Sequence, residues 1–294
     1  MTGGIGETME EQVRGEIRRF VLESELNRFP SSEARYFDEP LVGIAAADDP
    51  LFTEYKRIIG PFHLTPREIM ADDGESSLPA SVICWVLPIA TRTLESNRRE
   101  VLRPSREWAQ TRSFGEQFNA ALRRHMVSWL NEQGYRAVAP QLSPLWRELT
   151  DPHAGIASSW SERHAAYAAG LGTFSLNDAL ITPRGIAHRL GSIVTDLYLR
   201  PDKRPYPERR HNCLYYREGT CGICICRCPA GALSRQGHDK LKCRTYVYEE
   251  LPRTVGELYG VPQTGCGLCQ TKVPCSERIP PGSPRFNGMK GGGK

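Results

Sequence analysis

The sequence lacks the features that would carry it to or across a membrane. No run approaches the about 18 consecutive apolar residues that a helix needs to span a bilayer. The N-terminal stretch MTGGIGETMEEQVRGEIRRF lacks the basic-then-apolar order of a secretory signal peptide. A net charge of +4 over 294 residues is too small to argue for nucleic acid without a local basic patch. We therefore expect a soluble, cytoplasmic protein with no membrane partner, and nucleic acid is not the favoured partner.

Cysteine is nearly missing from the first two-thirds of the chain. Only Cys84 precedes residue 200, and the other nine cysteines lie between Cys213 and Cys275. A disulfide framework is typical of short secreted chains, which this is not, so clustered thiols indicate a metal site instead. Cys84 lies inside the apolar run SVICWVL, where we expect a buried, unreactive thiol.

Helical patterns recur through the first 199 residues. Apolar spacing predicts a helix over 8–26 and a long helix through 114–129. A further helix is predicted over 158–170, where the spacing of Ser159 and Glu162 is that of a capping box.

Short apolar runs between these helices predict strands. They lie at 41–47, 81–87, 135–139, 179–182 and 190–199. Helices and strands that alternate along the chain predict an α/β domain over 1–199, with a partly parallel sheet.

The composition changes at residue 200. The segment RPDKRPYPERRH carries three prolines and five basic residues, which predicts a solvated linker; contact with an anion or RNA is the alternative. It separates the α/β domain from a Cys-rich domain over 200–282, and a flexible tail is expected over 283–294.

Eight cysteines fall into two groups of four. The first group ends in a Cys-Pro pair followed by AGAL, and both groups contain a Cys-x-x-Cys pair. The groups are Cys213, Cys221, Cys224 and Cys228, then Cys243, Cys266, Cys269 and Cys275. Cys-x-x-Cys turns bring two thiolates to one centre, and a closing Cys-Pro is typical of bacterial ferredoxins. The pattern predicts two [4Fe–4S] clusters in a ferredoxin-like domain, and four-cysteine zinc sites are the alternative.

In two-cluster ferredoxins, three cysteines of one group bind one cluster and the fourth binds the other. This logic predicts that Cys275 completes the cluster of Cys213, Cys221 and Cys224. Cys228 then joins the remaining three. The tenth cysteine, Cys226, is predicted to be a spare thiol, although it could compete for a ligand position.

Two segments resemble a known family. GCGLCQTKVPC together with CGICICRCPAGAL resembles the double-cluster domain of epoxyqueuosine reductase-like proteins. AAGLGTFSLNDALITPRGIAHRLGSIVTDLYL is similar to a signature shared by epoxyqueuosine reductases and reductive dehalogenases. The resemblance covers residues 158–281.

The resemblance implies a cobalamin (corrinoid) cofactor, held base-off between a nitroreductase-like α/β domain and the cluster domain. The positions that match the signature are the implied corrinoid contacts: Gly170, Leu171, Gly172, Ser175, Leu180, Ile181, Arg189, Leu190, Gly191, Thr195 and Asp196. Glycine suits a backbone that packs flat against a macrocycle. The alternative is that Gly170 and Gly172 only end a helix and turn the chain.

The sequence departs from the family at its proton donor. Epoxyqueuosine reductases carry an aspartate in an Asp-Ser/Thr-Ala-Pro motif before the third helix, whereas Ile156 or Ala157 falls near that position here. We also expect the protein to act without the helical-repeat extension that some of those enzymes use on tRNA. The nearest proton-bearing groups are His153, Glu162, His164 and Tyr167. No catalytic residue is predicted, and we expect epoxyqueuosine in tRNA to be a poor substrate.

The expected function is that of a reductase. A low-potential donor of the ferredoxin or flavodoxin type would load the clusters, and the clusters would reduce a corrinoid that cleaves a bond of a small molecule or modified nucleoside. Two alternatives stay open: a corrinoid-free, ferredoxin-like carrier or maturation partner, and an RNA-binding protein that uses 200–211.

Overall fold

The computed structural model describes residues 7–30, 32–71, 78–152 and 155–282. His153 and the tail from residue 283 lie outside these ranges. The helices are α1 Met9–Glu23, α2 Pro50–Ile58, α3 Pro66–Met70, α4 Thr91–Arg99, α5 Arg106–Glu132, α6 Glu162–Ala168, α7 Leu214–Glu218, α8 Ile223–Cys226, α9 Lys240–Thr245 and α10 Glu257–Tyr259. The strands are β1 Leu41–Ala46, β2 Ser81–Pro88, β3 Ala137–Val138, β4 Glu148–Asp151, β5 Gly155–Ser158, β6 Thr173–Phe174, β7 Leu180–Ile181, β8 His188–Thr195, β9 Leu233–Ser234 and β10 Gly237–His238.

A four-stranded sheet in the order β1-β2-β8-β3 forms the centre of the first 199 residues. Its three strand pairs are all antiparallel, and Trp85 of β2 lies opposite Gly191 of β8. The mixture of helix and strand agrees with the sequence, but the expected partly parallel sheet is wrong. Two neighbouring parallel strands need a crossover connection, usually one helix, that carries the chain back to the edge of the sheet where the first strand began. Two helices, α2 and α3, separate β1 from β2, and they bring the chain back in the opposite direction.

Apolar side chains cover both faces of this sheet. Ile17 of α1 and Phe118 of α5 pack on the face that carries Trp85. Phe52 and Trp160 pack on the opposite face beside Cys84. Cys84 is fully buried, as expected, and burial raises the pKa of its thiol well above the usual value.

Helix α6 begins later than predicted. Its N-cap is Ser161, so the capping box expected from Ser159 and Glu162 is wrong. The Ser159 hydroxyl instead donates to the carbonyl of Leu145 (2.9 Å) and accepts from the Arg147 amide (3.0 Å). Glu162 is thereby free to turn toward the sheet, where its carboxylate forms the contacts described below.

The Cys-rich residues 213–275 pack against α4 and α5. Ser113 Oγ donates to the Gln263 carbonyl (2.6 Å), and Arg227 Nη1 donates to the Glu100 carbonyl (2.8 Å). Asn97, buried in α4, donates to Thr271 Oγ1 (3.2 Å). These contacts fix the position of the cysteines relative to the sheet.

Residues 200–211 form no helix or strand, yet they lie against the sheet domain. The Asp202 carboxylate pairs with Arg14 (2.7 Å) and accepts from the Ile44 amide (2.9 Å). Arg204 pairs with Asp49 at the start of α2. In the four described ranges, no helix is both long and apolar enough to span a bilayer.

Candidate functional site

A small cavity in the Cys-rich part brings four distant thiols together. Its walls include Cys213, Cys221, Cys224 and Cys275. Cys213 is the N-cap of α7, Cys224 lies in α8, and Cys275 comes from the last segment of the described chain. The Cys275 carbonyl accepts from the Ile186 amide (2.9 Å), which ties this segment to the loop before β8.

A second set of thiols lines one end of a larger cavity of about 600 Å³, which lies between the sheet domain and the Cys-rich part. This set is Cys228, Cys243, Cys266 and Cys269. Cys226 is exposed and lines neither cavity. The two sets are therefore those that the ferredoxin crossing predicts from the sequence. Within the described part of the chain, no group of three or more His, Cys, Asp or Glu side chains is already arranged as a metal-ion site.

The environment of these thiols suits a positively charged centre. Burial, followed by the neighbouring cysteines, raises the pKa of Cys224 and of Cys275 to about 12. Burial likewise raises the pKa of Cys266 to about 12. Thiolates are the form that ligates iron, so four buried thiols in one place require metal charge to lose their protons.

The same cavity is also lined by a ladder of alternating charges, formed by Glu162, Arg123, Glu116 and Arg189. Glu162 Oε1 accepts from Arg123 Nη2 (3.2 Å), and Glu116 Oε1 accepts from Arg123 Nη1 (3.0 Å). Arg189 Nη2 lies 3.1 Å from Glu116 Oε2. The ladder joins α5, α6 and β8, and the central Arg123 is only 1% exposed.

The two carboxyls of this ladder differ in pKa. Burial raises the pKa of Glu162, and its contacts with Arg123 and Ser192 offset this only in part. Burial also acts on Glu116, but Arg189 and Arg123 together hold the pKa of Glu116 below its ordinary value. Burial lowers the pKa of Arg189 to about 10.

Several buried polar atoms along this wall have no hydrogen-bond partner among the described residues. They include Thr111 Oγ1, Arg123 Nε, His188 Nδ1 and Arg189 Nε, and all four residues line the larger cavity. Burial lowers the pKa of His188 to about 4, so its ring is neutral. Its Nε2 lies 2.9 Å from the Leu180 carbonyl, which leaves Nδ1 as an acceptor. Because unpaired buried polar groups are costly, these atoms fit a ligand with a polar periphery.

Comparison with known proteins bears on this site. No family model matches the chain. It is 33% identical over 119 residues to an epoxyqueuosine reductase of Bacillus anthracis, a match over 39% of this chain and 29% of the relative. An epoxyqueuosine reductase bound to an epoxyqueuosine-modified tRNA stem loop has a similar fold (TM-score 0.52, 18% identity, 91% of this chain and 65% of that chain). A reductive dehalogenase described as acting in B12-dependent dehalogenation is also similar (TM-score 0.50, 17% identity, 82% and 30%).

The chain is similar in sequence, over part of its length, to an epoxyqueuosine reductase, and it is similar in fold to epoxyqueuosine reductases and reductive dehalogenases. The local sequence match agrees with the similarity of fold and with the motifs in 158–281. The chain spans less than two-thirds of the length of each relative named above.

Of the eleven corrinoid contacts that the family signature implies, only Arg189 and Leu190 line the larger cavity. Ser175 and Ile181 line the smaller, cysteine-lined cavity instead. The other positions line neither cavity: Gly170, Leu171, Gly172, Leu180, Gly191, Thr195 and Asp196. These nine positions lie outside the larger cavity, and their contact with a corrinoid stays a prediction.

The glycines of the signature have a reason within the fold. A Cβ on Gly172 would lie 2.6 Å from the Ile181 carbonyl oxygen, and one on Gly191 would lie 2.5 Å from Trp85 Nε1. Gly170 has a positive φ of 74° and faces the Lys203 backbone. Close packing against neighbouring backbone or against the Trp85 indole therefore explains glycine at these three positions. This packing favours the alternative that these glycines serve the fold.

The proton-bearing residues named from the sequence differ in whether they line the larger cavity. Glu162 lines the larger cavity, whereas His164 and Tyr167 do not. His164 is held by a 2.8 Å contact between its Nδ1 and Ser161 Oγ, and burial lowers its pKa to about 3. Ile156 lines the cavity with an apolar side chain, and its match to the aspartate of epoxyqueuosine reductases stays a prediction.

Sequence reasoning missed Glu116, Arg123, Thr111 and His188. Glu116 and Arg123 are seven residues apart in α5, and helix geometry places such residues on one face. The helix also buries apolar side chains such as Phe118 and Leu122, so charged residues within a largely buried helix were the available signal. Thr111 and His188 gave no comparable signal.

Proposed function

We propose that this protein is a cobalamin-dependent iron–sulfur reductase that cleaves a bond of its substrate reductively. One observation carries the proposal: four cysteines and a ladder of partly unsatisfied polar side chains line the same cavity. A cluster on these cysteines would lie in the wall of the chamber that receives the corrinoid, so electrons would pass directly between the two.

The two cysteine sets support two [4Fe–4S] clusters. Each set contributes four thiols to one cavity, and each takes three from one sequence group and one from the other. Zinc would need the same number of thiols, but the Cys-Pro-Ala-Gly-Ala segment after Cys228 is typical of bacterial ferredoxins.

The larger cavity supports a corrinoid. Its volume of about 600 Å³ is that of a cofactor site, and the edge of a corrin ring carries amide groups that pair with unsatisfied donors and acceptors. Arg189 and Arg123 would hold this edge through their free Nε atoms, and the neutral His188 would accept a hydrogen bond from it. When bound, the corrinoid supplies a low-potential centre for reductive cleavage.

The relatives suggest the class of substrate. One acts on a modified nucleoside in tRNA and another on organohalides, so a modified nucleoside or a small molecule is the proposed substrate, with a ferredoxin- or flavodoxin-type electron donor. With Ile156 near the position of the family's aspartate, epoxyqueuosine should remain a poor substrate. A corrinoid-free carrier is not favoured, because it leaves the polar lining of the larger cavity unexplained.

The proposal predicts the cofactor content of the protein. Anaerobically purified or reconstituted protein should hold about eight irons and about eight acid-labile sulfides per chain. It should also retain cobalamin through gel filtration with a base-off absorption spectrum.

Two controls make this result specific. Cys269→Ser should lose about half of the iron, whereas Cys84→Ser, at a buried thiol outside both sets, should lose none. Stoichiometric zinc without iron–sulfur absorbance would contradict the clusters. Full iron content with no retained corrinoid would instead favour the carrier.

A further inference from the structure

The larger cavity is lined by four carboxylates, and Glu162 differs from the others in its surroundings. Its side chain is 12% exposed and sits between β8 and α5. Ser192 Oγ donates to Glu162 Oε2 (2.5 Å), and Trp160 Nε1 donates in turn to Ser192 Oγ (3.0 Å). This chain of hydrogen bonds fixes the carboxyl group in the cavity wall.

The carboxyl groups of Glu116 and Glu162 both contact Arg123, but they differ in the number of arginines around them. Glu116 contacts both Arg123 and Arg189, whereas the ion pair of Glu162 is with Arg123 alone. Glu162 shares Arg123 Nη2 with two other acceptors, the Leu190 carbonyl (3.0 Å) and Gln141 Oε1 (3.2 Å). Of the pair, Glu162 is therefore the group with the higher pKa and the one that takes up a proton more readily.

The groups that face Glu162 come from three elements. Arg123 and Glu116 face it from α5, Ser192 faces it from β8, and the buried thiol of Cys84 faces it from β2. None of these belongs to either cluster-forming cysteine set. Arg123 brings a positive charge to Glu162, and Glu116 opposes it, which agrees with the raised pKa of Glu162.

The remaining cavity-lining acids are less suited to deliver a proton. Glu148 pairs with Arg244 and is 44% exposed. Asp178 contacts His238 (3.1 Å), and this contact together with Arg163 holds the pKa of Asp178 below its ordinary value despite burial. His238 is cationic, but Asp178 and Cys243 engage its ring.

We propose that Glu162 is the catalytic acid that donates the proton in the reductive cleavage. The proposal rests on the proposed function and deepens it. Cleavage of an R–X bond to R–H and X⁻ consumes two electrons and one proton. The electrons come singly from the ferredoxin- or flavodoxin-type donor through the clusters, and the proton leaves Glu162 for the carbon of the substrate. The carboxylate that remains keeps its hydrogen bonds to Ser192 and Arg123, and solvent reprotonates it after release of the product.

The test uses the cluster- and cobalamin-loaded protein and four variants: Glu162→Gln, Glu162→Asp, Glu148→Gln and His238→Gln. The first readout needs no substrate and is the midpoint potential of the bound corrinoid as a function of pH. Glu162 should take up a proton when negative charge is added nearby, so the potential of the wild type should fall as pH rises. Glu162→Gln should give a nearly flat profile, whereas Glu148→Gln should retain the wild-type slope.

The second readout is turnover of 3-bromo-4-hydroxybenzoic acid, a compound bound by a related dehalogenase. Glu162→Gln should slow debromination by roughly 10²- to 10⁴-fold, the usual contribution of a general acid, at unchanged iron and corrinoid content. Glu162→Asp should recover part of the rate with a displaced pH profile. It also serves as the second test where Glu162→Gln lowers the yield of folded protein.

The outcomes separate the two proposals. A wild type that holds no corrinoid overturns the proposed function and the role of Glu162 with it. A wild type that holds corrinoid and clusters, with a pH profile that Glu162→Gln and Glu162→Asp leave unchanged, overturns the role of Glu162 alone. Loss of the pH dependence in His238→Gln but not in Glu162→Gln would assign the proton to His238 instead.

Discussion

Replacing Gly191 by alanine tests whether this glycine serves the fold or a corrinoid. Gly191 lies on β8 opposite Trp85 of β2, and an added Cβ would lie 2.5 Å from the Trp85 Nε1 and Cζ2 atoms. Trp85 is fully buried, and its Nε1 donates to Asn119 Oδ1 (2.9 Å). The indole therefore has no open space into which it can move.

The expected loss of stability follows from this geometry. Relieving the contact requires the indole to shift by about 1 Å, and overpacking of this kind costs about 1–3 kcal/mol. Moving the indole also weakens the hydrogen bond to Asn119, which contributes about 1 kcal/mol. We expect a loss of about 3 kcal/mol in the free energy of unfolding, or roughly 6–12 °C in apparent Tm.

The assay is anaerobic thermal unfolding of the loaded protein, at one fixed scan rate, in a double-mutant cycle with Trp85→Phe. Phenylalanine removes part of the ring that the new methyl group meets, so Gly191→Ala should cost less in the Trp85→Phe background than in the wild type. Retention of corrinoid per folded chain should be unchanged. A Gly191→Ala protein that unfolds like the wild type but releases its corrinoid would refute the packing explanation and restore Gly191 as a cofactor contact.

Two further predictions concern the thiols and the response to acid. Cys226→Ser should keep both clusters, whereas Cys275→Ser and Cys228→Ser should each lose a different one. Electron paramagnetic resonance of the reduced proteins distinguishes these cases. Loss of a cluster in Cys226→Ser would show that Cys226 is a ligand. Burial, with a smaller effect from Lys56, lowers the pKa of His63 to about 4, and His63 is 1% exposed. The unfolded chain binds a proton at His63 below about pH 6.5, whereas the folded chain binds it only near pH 4. The free energy of unfolding is therefore unaffected by His63 above about pH 6.5 and is lowered by about 2 kcal/mol at pH 5. His63→Gln, which keeps an acceptor for the Ser161 amide, should reduce the loss of stability between pH 7 and pH 5 by about that amount in denaturant unfolding; an equal loss in both proteins would contradict the assignment.

The sequence predicted those features that depend on spacing along the chain. Helix α1 follows its apolar spacing, with Val13, Ile17 and Val21 fully buried, and Thr8 and Glu11 close its first turn. The partition of eight cysteines into two crossed sets of four was also accessible, because ferredoxin geometry limits which thiols can converge. The same limit sets Cys226 apart as a spare thiol, which stays a prediction.

Features that depend on contacts between distant segments were not accessible. The direction of β2 relative to β1 depends on how two helices pack, which periodicity does not record. The signature glycines were assigned to a corrinoid from the family resemblance, and glycine permits close approach of any partner. Which partner approaches is a three-dimensional property, and for Gly172 and Gly191 the partners are the Ile181 backbone and Trp85.

The second cysteine set has a consequence for how the cavity is built. Cys228 follows α8 and Cys243 lies in α9. Cys266 precedes the turn at Leu268–Gln270, and Cys269 lies within that turn. These segments share one wall of the larger cavity, yet few apolar side chains of the short helices α8 and α9 are buried. Since the hydrophobic contribution of this wall is small, a cluster bridging the four thiols would supply much of the energy that holds the segments together. Under the proposed function, the cluster thus both delivers electrons and shapes the chamber, so a chain that loses this cluster should lose corrinoid binding with it, even though no cysteine need touch the corrinoid.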